Sequence, residues 1–368
     1  MEKIKEKIKI KKRKNKFKRI RYNKNFTKKT GKNKKYKIHK CFISTKILSI
    51  IILSIIFHKI YLFEKIYKYC INCAKKIDNL NSKCLQCSSD LLFRNLYIVP
   101  TEETLNEIIK NKKSISRFSD GEFALIYGFS IRFQEYDKNL AKRLFEIIQN
   151  NNKNKKLLVG IDFAYKKKEL DLYIKPEVKY WTTFFEYNRF KLLRILNKNK
   201  KYYSSDITRF YHKFKDKSKV PKYIAKYKQV WQGRNVVIVE GEKTRVGIGN
   251  DFLNDTNSIK RIICPAKNAF KVYDKILKAV LTQSKDNLIL ISLGPTASVL
   301  ACDLSKYGYQ AIDFGHSDIM YELYLRNATK MIQIPHKFVN EYNNGRNENV
   351  GNVEDINYYK QIIFKILD

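Results

Sequence analysis

Residues 287–313 read NLILISLGPTASVLACDLSKYGYQAID. An apolar run over 287–293 stops at Gly294-Pro295, a helical pattern occupies 295–307, and a second apolar run over 309–313 follows. Two strands joined through a helix cannot be a hairpin, so the unit is a crossover that lays its strands parallel. The same alternation recurs outward from it. Strands are expected at 114–118, 156–161, 235–240 and 259–264, and helices at 102–111, 140–150, 181–197, 221–230 and 267–282. The fold class expected is α/β, a Rossmann-like, mostly parallel sheet of about six strands with helices on both faces. The polar, basic and aromatic stretch 198–219 is expected as a loop or lid that carries acceptor contacts.

In an open parallel sheet, ligands gather at the carboxyl ends of the strands. The loop after 235–240 carries Glu242, Lys243, Arg245, Gly247, Gly249, Asn250 and Asp251. Its glycines free backbone N–H groups, and its two cations suit a diphosphate. Gly294, Pro295 and Thr296 open a helix whose N-terminal N–H groups favour an anion, or they form an ordinary helix start. Lys267 and Asn268 follow the strand at 259–264 and suit a ribose or base, with helix capping by Asn268 as the alternative. Asp313-Phe-Gly-His316-Ser-Asp318 offers one imidazole and two carboxylates. His316 and Asp318 are candidate general bases, against a structural or capping histidine, and Glu240 and Glu242 compete for that role or for a metal.

Asp120-Gly121-Glu122 interrupts an apolar run. In a turn, side chains two apart face the same way, so the two carboxylates could share Mg²⁺ or Mn²⁺ while Gly121 admits a phosphate. A solvated acidic turn is the alternative. Arg117 could touch phosphate or pair with Glu122.

Four blocks in order, ISRFSDGEFALIYG at 115–128, VVIVEGEKTRVGIGND at 236–251, RIICPAKNAF at 261–270 and LISLGPTASVLACDLSKYGYQAIDFGHSDIMYE at 290–322, resemble the bacterial GT-D type glycosyltransferase family, once a domain of unknown function. Ser119 stands where that family's pattern suggests Gly. The resemblance implies a DxE metal motif at Asp120 and Glu122. It also implies a nucleotide diphosphate sugar donor such as UDP-glucose, and a glycan or glycoprotein acceptor. The domain so implied spans 100–330, with 331–368 a C-terminal extension.

The preceding residues differ in kind. The formal net charge is +40, and through Lys46 there are 21 Lys and Arg against 2 acids. Residues 1–46 therefore read as a basic disordered tail suited to a polyanionic surface. Residues 47–66 open with ILSIIILSIIF, an apolar helix that either spans a membrane or lies on it. Soluble donors favour the cytoplasmic face of that membrane. Within 67–95, Cys70-x-x-Cys73 and Cys84-x-x-Cys87 have the spacing of a zinc-ribbon-like site, four thiolates around a structural Zn²⁺, with disulfides as the alternative. A total of seven Cys is odd, which favours reduced thiols; Cys264 and Cys302 are expected to be buried.

With 368 residues and 44% hydrophobic content, the chain can bury a full core. The rival reading is a zinc-ribbon nucleic-acid-binding protein, for which a Lys-rich tail and 13% aromatic residues are suited. Nothing in such a module needs the DGE, GEKTRVGIGND and GPTA blocks, so specific nucleic-acid recognition is not expected.

Overall fold

The computed structural model describes residues 96–150, 154–165, 167–342 and 350–367. The basic tail, the apolar segment at 47–66 and the four cysteines expected to hold zinc lie outside these residues. Among the described residues, no helix is long and apolar enough to cross a membrane.

The chain runs β1 (Tyr97–Ile98), α1 (Thr101–Lys110), β2 (Ser114–Phe118), α2 (Asp120–Ile126), α3 (Lys138–Gln149), β3 (Leu157–Ile161), α4 (Lys167–Leu170), α5 (Lys175–Ile195) and β4 (Lys201–Ser204). It continues through α6 (Val220–Lys228), β5 (Asn235–Gly241), β6 (Ser258–Cys264), α7 (Tyr273–Leu281), β7 (Leu288–Ser292), α8 (Pro295–Lys306), β8 (Gln310–Asp313), α9 (Ser317–Leu325), α10 (Ile356–Gln361) and β9 (Ile362–Lys365). The strands form one sheet in the order β1-β4-β3-β2-β8-β7-β5-β6-β9, and the neighbours pair parallel.

The six expected strands are present. The other three, β1, β4 and β9, have two to four residues each and lie toward the two edges of the sheet. None of the three was expected: β1 precedes the first expected helix, β4 lies in the supposed lid region, and β9 adds a parallel edge to β6 from the supposed C-terminal extension.

Period-two alternation builds a core on each face. Val237, Val239, Ile289 and Ile291 face one cluster, which includes Leu144, Ile148, Trp181 and Phe185. Val236, Ile238, Leu288 and Leu290 face the other, around Tyr227, Trp231, Phe252 and Phe314. Each such aliphatic side chain contributes about 1.5–3 kcal/mol on burial. Residues 295–305 of α8 are buried throughout, and two of its polar members find partners inside, Ser298 on the Arg117 carbonyl at 2.7 Å and Asp303 on the Tyr273 hydroxyl at 2.6 Å.

Crossovers β2→β3→β4 run outward on one side, and β5→β6 outward on the other. The halves meet where β2 lies beside β8, with Ile115 opposite Ile312. The crevice at the carboxyl ends of those strands is the topological switch point.

Candidate functional site

At the end of β2, Ser119 in extended backbone caps α2, and the Glu122 carboxylate accepts the Ser119 N–H at 2.8 Å, closing a capping box. Asp120-Gly121-Glu122 is therefore the first turn of a helix rather than an acidic turn. At about 100° per residue, side chains two apart on a helix diverge, so Asp120 and Glu122 do not project together as an extended segment would have them. Burial pushes the Glu122 carboxyl up to about 8. Asp120 accepts the Tyr180 hydroxyl at 2.5 Å on one oxygen and the Ser119 hydroxyl at 3.1 Å on the other.

The Ser119 hydroxyl also lies 2.8 Å from Asp162 at the end of β3. Asp162 in turn meets the Lys213 ammonium at 2.6 Å. Lys213, 5% exposed, forms a second ion pair with Asp206, whose other oxygen accepts the Tyr173 hydroxyl at 2.8 Å. Burial opposes the Lys213 charge, but the two carboxylates more than offset it and raise its pKa. Burial likewise pushes Asp206 up, while Lys213 holds Asp162 down against the same penalty. The ends of β2, β3 and β4 are thus linked through one buried ammonium.

Arg117 donates from Nη2 to Asp313 Oδ1 at 2.8 Å and from Nε to the Asp313 carbonyl at 2.9 Å. It crosslinks β2 to β8 and does not pair with Glu122, as one sequence reading allowed. Gly315, at φ +47°, leaves room for this guanidinium: an added Cβ would stand 2.0 Å from Arg117 Nη2.

His316 lies between Arg209, whose Nη2 is 3.2 Å from Nδ1, and Glu341, whose Oε2 is 3.3 Å from Nε2. Arg209 can only donate, so Nδ1 accepts and Nε2 carries the proton. Nδ1 is taken, and Nε2 faces a carboxylate without hydrogen-bonding to it, so His316 stands between two charged groups rather than free in the crevice. Asp318, the other expected base, is not free either. Its carboxylate is buried against Lys337 at 2.6 Å and accepts from Gly247 N at 3.0 Å and Asn250 Nδ2 at 2.9 Å.

Gly247 and Asn250, expected to bind phosphate, therefore spend these donors on Asp318. Glu240 is also structural: it is fully buried, accepting from Val246 N at 2.7 Å and from Arg261 at 2.6 Å. Glu242 is exposed and anchored by its backbone N–H to the Cys264 carbonyl. Arg245 donates to the His336 carbonyl at 2.7 Å while its buried Nε has no partner. Lys243 is half-buried, and Gly249 and Lys267 are exposed.

The start of α8 is roofed. Phe133 packs so close to Gly294 that an added Cβ would stand 2.6 Å from its ring, while Pro295 and Thr296 are buried. Asn268, in left-handed backbone, accepts the Glu135 N–H at 2.7 Å and donates its own N–H to the Phe133 carbonyl. It holds the loop over α8 rather than capping a helix with its side chain. The buried Thr296 hydroxyl has no partner. Cys264 and Cys302 are free and buried, as expected, and burial pushes both thiols up.

Sequence reasoning missed Glu177, Tyr180, Arg209, His212, Lys213 and Glu341, which line or support the crevice. Residues 331–342, expected outside the domain, lie across its mouth: Phe338 N donates to the Lys243 carbonyl, Asn340 O accepts from Arg132, and Glu341 meets Arg209. The one available signal was the density of His, Lys, Arg and aromatic residues over 209–215.

The family model described as "Glycosyltransferase GT-D fold" matches residues 115–342. The chain is 36% identical over 250 residues to a probable glycosyl transferase, Gly, of Streptococcus gordonii, covering 68% of this chain and 36% of that protein. It is 33% identical over 284 residues to the glycosyltransferase GlyD of Streptococcus pneumoniae serotype 4, covering 76% of this chain and 34% of that protein. The chain thus spans about a third of the length of the curated relatives it matches. A solved structure of domain of unknown function 1792, described as having a distinct glycosyltransferase fold, superposes with a TM-score of 0.69 at 38% identity, covering 74% of this chain and 96% of that one. A glycosyltransferase from Streptococcus sanguinis superposes with a TM-score of 0.70 at 33% identity, covering 74% and 99%.

Proposed function

This chain belongs to the GT-D fold glycosyltransferase family, and from that premise we propose that it transfers a sugar from a nucleotide diphosphate sugar to a glycan or glycoprotein acceptor. The observation that carries this reading is the seat of Asp120. It opens a helix at the switch-point crevice, is half-buried, and among the described residues its carboxylate is contacted by two hydroxyl groups and forms no ion pair.

That seat fits a divalent cation. Mg²⁺ and Mn²⁺ prefer oxygen donors and are commonly held by one or two carboxylates together with substrate phosphates and water. Among the described residues, no group of three or more His, Cys, Asp or Glu is arranged to hold a metal alone, so the diphosphate would complete the shell. Asp120 would hold the ion, while Glu122 closes the helix start through the Ser119 N–H. Such an ion neutralises charge that grows on the diphosphate as the glycosidic bond breaks.

The chain's own groups supply the rest. Tyr180 orients Asp120. Lys243 and Arg245, in the loop after β5, offer cations to the departing diphosphate, acting in a crevice of low dielectric where preorganised charge counts most. The basic tail and the apolar run at 47–63, known from sequence alone, would hold the domain at the anionic cytoplasmic face of a membrane, and the Cys70, Cys73, Cys84 and Cys87 set would bind a structural Zn²⁺.

The test is a donor screen. Purified protein with Mn²⁺ is incubated with a panel of nucleotide sugars, and mass spectrometry follows which is slowly hydrolysed without acceptor. One donor should be consumed in preference to the rest, and a panel left intact and unbound would overturn the proposal.

A further inference from the structure

The carboxylates around the crevice are nearly all committed. Asp162 and Asp206 share Lys213, Asp313 holds Arg117, and Asp318 and Glu322 share Lys337. Glu341 is held by Arg209 and His316, and Glu122 by the Ser119 N–H. Asp120 is the residue assigned above to the cation. Two crevice carboxylates make no hydrogen bond to a described residue: Glu242, which is exposed in the loop after β5, and Glu177. Glu177 lies in the first turn of α5, its side chain is 27% exposed, and it makes no hydrogen bond to any described residue; its nearest basic neighbour is His212 Nδ1 at 4.0 Å, an imidazole whose pKa burial lowers.

Tyr180, three residues further along the same helix, donates to Asp120. Residues three apart on a helix share a face, which sets Glu177 about one turn, roughly 5 Å along the axis, from the residue that touches Asp120. We propose that Glu177 takes the proton from the attacking hydroxyl, an inference that rests on the glycosyl-transfer reading above.

A carboxylate with no donor to satisfy it, in a half-dry crevice, keeps its lone pairs for an incoming O–H. The charged groups facing it are Lys213 and Arg209 from the segment after β4, Asp162 from the end of β3 and Asp120 from α2, with the titratable His212 beside them. Burial raises its carboxyl above the ordinary value, Lys213 and Arg209 oppose that rise, and Asp162 and Asp120 add to it. In the step itself, the acceptor O–H bond breaks and its proton passes to Glu177. The oxygen forms a bond to the anomeric carbon as the bond from that carbon to the diphosphate oxygen breaks. That electron pair leaves with the nucleoside diphosphate, and the anomeric centre inverts. His316 is less well placed, since Arg209 occupies its Nδ1 and its Nε2 faces the Glu341 carboxylate at 3.3 Å.

The test uses the full chain with Mn²⁺ and the nucleotide-sugar panel, including UDP-glucose, with water as acceptor. Glu177→Gln and Glu177→Ala should lower turnover by about 10²-fold or more while the Kd for the donor changes less than about threefold. The acid limb of the wild-type pH profile should disappear in Glu177→Gln. Azide, a nucleophile with no proton to lose, should restore turnover in Glu177→Ala and yield the glycosyl azide of inverted configuration. Undiminished turnover in the variants, loss of donor or Mn²⁺ affinity in step with activity, or failure of azide to rescue would each overturn the role of Glu177. Wild-type protein that binds and hydrolyses none of the panel would instead overturn the glycosyl-transfer reading beneath it.

Discussion

The Lys337 ammonium lies 2.6 Å from one Asp318 carboxylate oxygen and 2.8 Å from Glu322 Oε1, and all three side chains are buried. This pair joins the segment over the crevice mouth to the first turn of α9, and through Gly247 N it reaches the loop after β5. Truncating one partner of such a pair leaves uncompensated charge in the interior. Lys337→Met is expected to cost about 3–5 kcal/mol, measured by urea denaturation. A midpoint within error of wild type would show that the pair contributes nothing.

Asp120→Asn keeps the shape of the helix start and removes the charge that would bind a cation. Turnover of the preferred nucleotide sugar should fall by about 10²–10³-fold with the circular dichroism spectrum and denaturation midpoint unchanged. In wild type, excess EDTA should stop turnover and added Mn²⁺ or Mg²⁺ should restore it. Full activity in the variant, or in chelator, would exclude the metal role.

Asp303 provides a pH test remote from the crevice. Burial opposes its charge, but hydrogen bonds from Arg143 and Tyr273 more than offset that and hold its carboxyl below the ordinary value of 3.8. A carboxyl depressed in the folded state adds stability above its unfolded pKa, and that stability is lost as pH falls through the folded one. Asp303→Asn should therefore cost about 1.5–3 kcal/mol at pH 7, with the gap to wild type narrowing below pH about 4. A gap that is constant from pH 7 to pH 3 would contradict the assignment.

Gly315→Ala should strain the chain twice. The backbone is left-handed at φ +47°, which costs about 1–2 kcal/mol for a residue with a Cβ, and the new methyl would overlap the Arg117 guanidinium. Arg117 should lose its bonds to Asp313, and both stability and turnover should fall. A crystal structure of the variant with Arg117 still seated on Asp313 would show the contact to be dispensable.

Much of the fold was readable in one dimension because five- to seven-residue strands carry their own apolar runs. Leu288 to Ser292 in β7 and Asn235 to Gly241 in β5 are examples. The crossover at Gly294-Pro295 was legible for a local reason, since Pro suits a first helical turn. The strands β1, β4 and β9 were not. Each of these exists because a neighbour's N–H and C=O groups await it, and for β1 and β9 that partner is distant along the chain: Tyr97 pairs with Lys201, and Arg261 with Ile362.

The crevice divides along the same line. By itself, the sequence determined the α/β class, the parallel crossovers, the placing of Asp120 at a strand end, and through the four ordered blocks the family. These follow from local periodicity and from residues adjacent in the chain. Only the tertiary structure decided which charges are used up. Arg209 and Glu341 stand 132 residues apart, and Asp162 meets Lys213 across 51, so no spacing rule could have found either pair. An ionisable side chain becomes a lock or a reagent according to whether folding brings it an opposite charge. Asp318 found Lys337 at 2.6 Å, whereas among the described residues Glu177 has His212 at 4.0 Å and no hydrogen bond.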